Sequence, residues 1–137
     1  MPAVIACLLD SSWFALFARV VLTFPFWGSA FGKLFNFNQA LAEMAMFGLN
    51  PAWAFAIATI VTQLGGALLV ISNRGVWLGA GALGIFTALT IPIAHRFWEM
   101  SGQIAMLEFF LVTEHVAMIG GLMIVAILSR QTPRQGA

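Results

Sequence analysis

The chain has 137 residues, of which 61% are hydrophobic and only 8% charged, with a net charge of +1. Soluble domains usually carry about 25% charged residues, so this composition excludes a water-exposed surface over most of the chain and makes lipid its solvent. The near-neutral balance gives no footing for nucleic acid. The single cysteine, Cys7, rules out an intrachain disulfide and a cysteine-clustered metal site.

Residues 1–10 lack Lys and Arg and carry Asp10, and the apolar run that follows contains Arg19 and continues to Phe31. A secretory leader needs a basic start and a short apolar core, so this stretch reads as a short N-terminal segment over 1–11 followed by a retained helix. About 20 apolar residues cross the hydrocarbon core, which places the first span at 12–34. Asp10, Ser11 and Ser12 are candidate caps, and Pro25 frees the Val21 carbonyl and predicts a kink. Residues 35–50 are amphipathic. Asn38 is expected to cap a short interfacial helix over 38–48, with Leu41, Met44, Ala45, Met46 and Phe47 on one face, Gln39 and Glu43 on another, and Gly48 ending it.

Asn50-Pro51 marks the start of a second span over 51–72, a cap followed by proline at the first helical position. Ser72-Asn73-Arg74-Gly75 is a tight turn into the third span, 76–97, which carries Pro92. In the loop that follows, Trp98 suits the headgroup level, and Glu99 and Glu108 read as solvated acids or contacts for an external partner. The fourth span covers 104–129 and a tail covers 130–137. The expected fold is all-α, an integral membrane four-helix bundle with a short amphipathic interfacial helix between helices 1 and 2.

Basic residues in short loops set orientation. Arg74, Arg130 and Arg134 lie on one side; Lys33 and Arg96 lie on the other, diluted by Glu43, Glu99 and Glu108. Both termini are therefore expected in the cytoplasm. Gln63–Leu68 and Met118–Met123 each carry a double glycine, and the first and third spans each carry one proline, the pattern of a faint parallel repeat or of coincidence in glycine-rich sequence.

The residues that lipid should exclude carry the functional question. Arg19 and Gln63 lie about 10 Å and about 13 Å in from the same side, at about 1.5 Å per residue. Glu114 and His115 fall near the middle of the fourth span, somewhat toward the other side. An ionisable group at such depth costs at least about 2.5–3.5 kcal/mol and faces the bundle interior. Arg19, Gln63 and Glu114 are expected to meet in one polar cluster, which either serves a function or only fixes packing. His115 fits a proton relay, a haem ligand or a quinone hydrogen-bond partner, and equally a plain bond to a neighbouring helix. His95, beside Arg96, Trp98 and Glu99, reads as an interfacial anchor. The spans set His95 and His115 roughly 10 Å apart in depth, which argues against a haem held between them.

Gly79-Ala80-Gly81-Ala82-Leu83-Gly84 matches a dinucleotide fingerprint only literally, since no strand precedes it. These glycines, with Gly65, Gly66, Gly75, Gly120 and Gly121, read as points of close helix approach. Met44, Met46, Met118 and Met123 read as packing. No metal-ligand spacing, nucleophile–base pair or phosphate loop is present.

Several segments together resemble one family. Arg19 to Gly28, Gly32-Lys33-Leu34, Gly48-Leu49-Asn50-Pro51, Gly65-Gly66, His95-Arg96-Phe97-Trp98 and Gly120-Gly121-Leu122 are similar in order and spacing to the DoxX family of small bacterial membrane proteins, over roughly 15–128. The family's early arginine and its Gly…Lys at the end of the first helix match Arg19 and Lys33. Its second helix often carries an acid where this chain has Gln63, and the Glu114-His115 pair supplies an acid from another helix instead. The resemblance implies a four-helix bundle in the bacterial inner membrane and association with quinone-linked redox systems.

The leading functional expectation is therefore a membrane subunit that anchors a larger redox partner, with a quinone contacting Arg19, Gln63, Glu114 and His115. Alternatives are a cofactor-free assembly subunit, and a small transporter or proton conductor, which would need a homo-oligomer.

Overall fold

The structure, a computed structural model, describes residues 1–131. Of the tail expected over 130–137, Arg130 and Gln131 belong to the last helix, and residues 132–137, including Arg134, lie outside the described residues. The elements are α1 (Ala3–Leu9), α2 (Ser12–Phe35), α3 (Phe37–Met46), α4 (Ala52–Ile71), α5 (Val76–Ala94), a 3₁₀ turn (Phe97–Glu99) and α6 (Gly102–Gln131), with no strand among the described residues. Helices α2, α4, α5 and α6 are long and apolar enough to cross a bilayer, which makes this an all-α, multi-pass membrane protein. Helix α2 runs unbroken through Pro25, and α5 through Pro92.

Local chemistry sets the ends of the shorter elements. Asn36, not Asn38, caps α3: its side chain accepts from the Gln39 N–H at 3.3 Å and donates to Gln39 Oε1 at 3.1 Å. This is a reciprocal box between a cap and the residue three positions on, and Asn38 has no such partner. At the other end Gly48, at φ 72°, takes the left-handed position. Leu49 N–H then reaches Met44 O at 2.9 Å and Gly48 N–H reaches Ala45 O at 3.0 Å, which closes the helix. Helix α4 begins at Ala52, with Pro51 in the cap position rather than inside the first turn; its carbonyl accepts from Ala54 and Phe55.

The inner face of α3 is Phe37, Ala40, Leu41 and Met44, at one-turn spacing, and it packs on Ala52 and Ala56 of α4. Met46 was expected on that face, but it lies about 200° around the helix from Met44 and is exposed.

In space, α2 packs along α4, α4 along α5 and α5 along α6, while α2 and α6 share only a small contact. The tightest approach joins α4 to α5. A Cβ on Gly79 would stand 2.6 Å from the Gly66 carbonyl, and one on Gly66 would stand 2.6 Å from Leu83 Cγ. Gly121 of α6 lies against α2, where a Cβ would stand 2.9 Å from Leu22 Cδ1. Gly65, Gly81, Gly84 and Gly120, also expected at close contacts, face open space, and Gly75 serves the α4–α5 turn at φ 66°. In each double glycine it is thus the second residue that touches a neighbouring helix.

Helix α6 differs from the others in length. Its 30 residues span about 45 Å, against about 28 Å for the 19 residues of α5. Its last turns lie beside the start of α5 around a shared cavity, so the excess projects past the opposite end of α5. The end of the bundle that holds α1, the α4–α5 turn and Arg130 is termed the terminal end, and the opposite one the far end.

Replacing Gly79 by Ala should destabilise the bundle by about 1–3 kcal/mol, because backbone rather than a movable side chain stands in the way. Gly81→Ala, in open space, should be neutral or gain up to about 1 kcal/mol from helix propensity. Unfolding of both variants in detergent, followed by circular dichroism, checks this. Equal stabilities would remove the α4–α5 contact as the tightest constraint.

Candidate functional site

A half-open cavity of about 550 Å³ occupies the far half of the bundle. Helices α2, α4, α5 and α6 and the end of α3 all contribute to it, and Phe26, Phe47, Phe55 and Phe86 supply much of its apolar wall. Three of the four residues expected to form a site are here: Gln63, Glu114 and His115.

Arg19 is not. It lines a separate cavity at the terminal end, and it makes no hydrogen bond or ion pair with Gln63 or Glu114. The contact between Leu22 and Gly121 explains why. Arg19 sits three residues from Leu22 toward the terminal end and Glu114 seven residues from Gly121 toward the far end, so the two differ in depth by about 15 Å on antiparallel helices. The expected cluster of Arg19, Gln63 and Glu114 therefore does not form.

Gln63 of α4 is buried in the cavity wall, 5% exposed. Its Oε1 is buried without a hydrogen-bond partner. An unmet buried acceptor is costly, by about 1–3 kcal/mol, unless something donates to it. Thr87 and Thr90 are no help, since their hydroxyls donate to the carbonyls of Leu83 and Thr87, each at 2.7 Å.

The histidines were expected about 10 Å apart in depth, with His95 an anchor at the membrane surface. They are instead in contact, with ring centroids 4.7 Å apart and planes at 64°. Helix α5 stops at Ala94, short of the expected 97, and His95 caps it at φ −117°, ψ 52°. Its Nδ1–H donates to Glu108 Oε2 of α6 at 2.7 Å. Glu108 and His115 are seven residues apart, two turns on one face, so the end of α5 meets α6 between them. Residues 102–107 then carry α6 about 9 Å further. The sequence reading set the ends of α5 and α6 at one level, and this overhang is what it missed. Glu108 is accordingly an internal partner of His95, and Arg96 pairs with Glu99 at 3.1 Å.

His115 donates its own Nδ1–H to Leu111 O at 2.7 Å. With both Nδ1–H groups committed, each ring keeps its Nε2 for a further hydrogen bond. Glu114 lies at the exposed rim and has no hydrogen-bond or ion-pair partner among the described residues. Across the cavity, Lys33 Nζ reaches Glu43 Oε2 at 3.1 Å and Ser29 Oγ at 3.2 Å, which ties α2 to α3. The groups left for a ligand are thus the Gln63 amide, the two imidazole Nε2 atoms and the Glu114 carboxylate. Thr59 and Thr62 add hydroxyls that serve either way. Among the described residues no group of three or more His, Cys, Asp or Glu is placed to hold a metal ion.

A family model described as DoxX matches residues 14–96. The chain belongs to the DoxX family. No curated protein and no solved structure matches it. The matched stretch runs from α2 to Arg96, short of the 15–128 over which the resemblance was drawn, and leaves out α6. In this DoxX protein Lys33, Gln63 and His95 therefore belong to the family segment, whereas Glu108, Glu114 and His115 come from the helix beyond it.

The Lys33–Glu43 and His95–Glu108 pairs escaped the sequence reading. A signal existed for Glu108, which lies seven residues before His115 on one face of the same apolar helix. Because His95 and Glu108 are each about four-fifths buried, a double-mutant cycle with His95→Ala and Glu108→Ala should give a coupling of about 1–3 kcal/mol in detergent unfolding. Additive effects, within a few tenths, would mean the pair does not hold α6 to α5.

Proposed function

We propose that the far-end cavity binds a quinone-class ring, and that this DoxX protein is a small bacterial inner-membrane subunit that presents it to a larger redox partner. The observation that carries the reading is the buried, unmet Oε1 of Gln63 inside a phenylalanine-walled cavity. A flat ring with oxygens at opposite ends needs an apolar slot and a few convergent polar groups. Gln63 at the floor and His95, His115 and Glu114 toward the mouth supply them, without Arg19.

The inventory of unspent groups selects between oxidation states. The buried unmet atom is an acceptor, Gln63 Oε1, so a hydroxyl of the reduced form meets it where a carbonyl of the oxidised form would not. A quinone–quinol pair carries electrons and protons together. On this reading His115 and Glu114 receive hydroxyl protons at the cavity mouth, and the electrons pass to the partner. A hydrophobic tail leaves through the side of the bundle, where α2 and α6 part. With Arg74 and Arg130 at the terminal end, the positive-inside rule puts both termini in the cytoplasm and the cavity in the outer half of the membrane.

One observation favours the alternative of a purely structural subunit. Leu122 is the one buried residue of α6 among those described, and the first turns of that helix expose Ile104, Met106, Leu107, Phe109 and Phe110. Lipid covers such a face in a lone subunit, and a larger membrane partner or a second copy would take the place of that lipid in an assembly. It is compatible with ligand binding and does not require it.

The test is binding of a short-chain quinol to the purified protein in nanodiscs, with the oxidised form as comparison. The reduced form should bind more tightly, and Gln63→Leu should weaken it about 3- to 10-fold, the worth of one neutral hydrogen bond. Absence of binding in either oxidation state leaves the structural role standing alone.

A further inference from the structure

The terminal-end cavity, about 1200 Å³, has a character opposite to the first. It lies among the start of α2, the α4–α5 turn and the last turns of α6, and three arginines line it: Arg19, Arg74 and Arg130. Asp10 is the one carboxylate in the lining. No ion pair joins these four groups among the described residues. Arg74 and Arg130 are exposed at the rim. Arg19 is only partly exposed, and its Nε is buried without a hydrogen-bond partner.

Arg19 stands about two turns inside the end of its span, at a depth where a guanidinium needs an anion or a dense set of acceptors. The protein provides neither among the described residues. The planar guanidinium fork suits the oxygens of a phosphate, and Arg is the residue that binds phosphate with two parallel hydrogen bonds. Below the basic mouth the wall turns apolar, through Leu22, Val76, Ile124 and Val125. A cationic mouth over an apolar floor matches an amphiphile with an anionic head better than a free ion. Basic pockets between membrane helices on the cytoplasmic side are suited to such headgroups.

We propose that this cavity is a binding site for the phosphate of an anionic membrane lipid, with Arg19 as the inner ligand and Arg74 and Arg130 at the rim. The site is independent of the quinone reading, since the two cavities share no lining residue. Inorganic phosphate offers the same oxygens without the acyl chains, and the apolar floor is what assigns the site to lipid.

The experiment uses the full chain, extracted in mild detergent from nanodiscs of mixed phosphatidylglycerol and phosphatidylcholine. Native mass spectrometry reads the retained lipid. Thermal unfolding is followed on adding back each lipid or inorganic phosphate. The wild type should retain phosphatidylglycerol over phosphatidylcholine by 10-fold or more and gain several degrees of unfolding temperature from the anionic lipid alone. Arg19→Gln should bring the two lipids to parity. Should Arg19→Gln fail to fold, the double variant Arg74→Gln/Arg130→Gln, at exposed positions, should cut the preference at least 3-fold. Equal retention of both lipids by the wild type overturns the proposal, as does a preference that survives both variants. A shift with inorganic phosphate as large as that with lipid, and no lipid retained, makes the ligand a soluble oxyanion and overturns the lipid assignment.

Discussion

The architecture depends on one backbone contact, the approach of α4 to α5 at Gly66 and Gly79. Without side chains between them, the two helices lie close enough that a single added methyl on Gly79 would collide with a carbonyl oxygen. In lipid there is no solvent-driven reward for burying apolar surface between helices, so small residues that permit such packing do much of the work of association. The tight pair forms the back wall of the molecule. Helix α2 is hung on α4 and α6 on α5, and these outer helices meet each other only in a small contact that includes Leu22 and Gly121.

That contact divides the interior in two. Toward the far end, α2 and α6 part and leave a cavity with Gln63 at its floor and the His95–His115 pair beside it. Toward the terminal end they part again, around Arg19. The polar groups without a partner among the described residues are thereby divided: Gln63 Oε1 and the Glu114 carboxylate lie on one side of the Leu22–Gly121 contact, and three guanidinium groups with the single carboxylate of Asp10 lie on the other. A single mixed cluster would have neutralised itself and served packing alone. Separated, each half is left with polar atoms that want an outside partner, and this separation is the physical basis for giving the protein a ligand at each end.

The spans and their apolar character were legible, because about 20 apolar residues in a row have few other homes. Family membership was legible too, from Arg19, Lys33 and the glycine pairs, although the matched stretch stops at Arg96. Depth was not. Hydropathy marks where a helix crosses the bilayer but not how far it overhangs its neighbour, so nothing in residues 96–103 announced that α6 would start beyond the end of α5. That one displacement turned His95 from a surface anchor into part of a cavity and gave it Glu108 as a partner, while the α2–α6 register at Leu22 and Gly121 kept Glu114 out of reach of Arg19. The cap of α3 was a smaller miss of the same kind. Asn36 and Asn38 are equally good caps by type, and only the Gln39 three residues after Asn36 distinguishes them. Among glycines, sequence showed candidates for close approach, while Gly66, Gly79 and Gly121 were singled out only by which face each helix turns to its neighbour.

The central claim is that the quinone-class ligand occupies the far-end cavity and no other place on the protein. It is tested most directly by photo-labelling the protein in native-like membranes with a quinone that carries a photoreactive group on its ring, followed by peptide mapping. The account predicts adducts on the walls of that cavity, around Phe55 to Gln63, Phe86 to His95 and Glu114 to Met118, with competition by unlabelled quinol. Adducts concentrated around Arg19 and Trp77, or spread evenly along the lipid-facing side of α6, would contradict it.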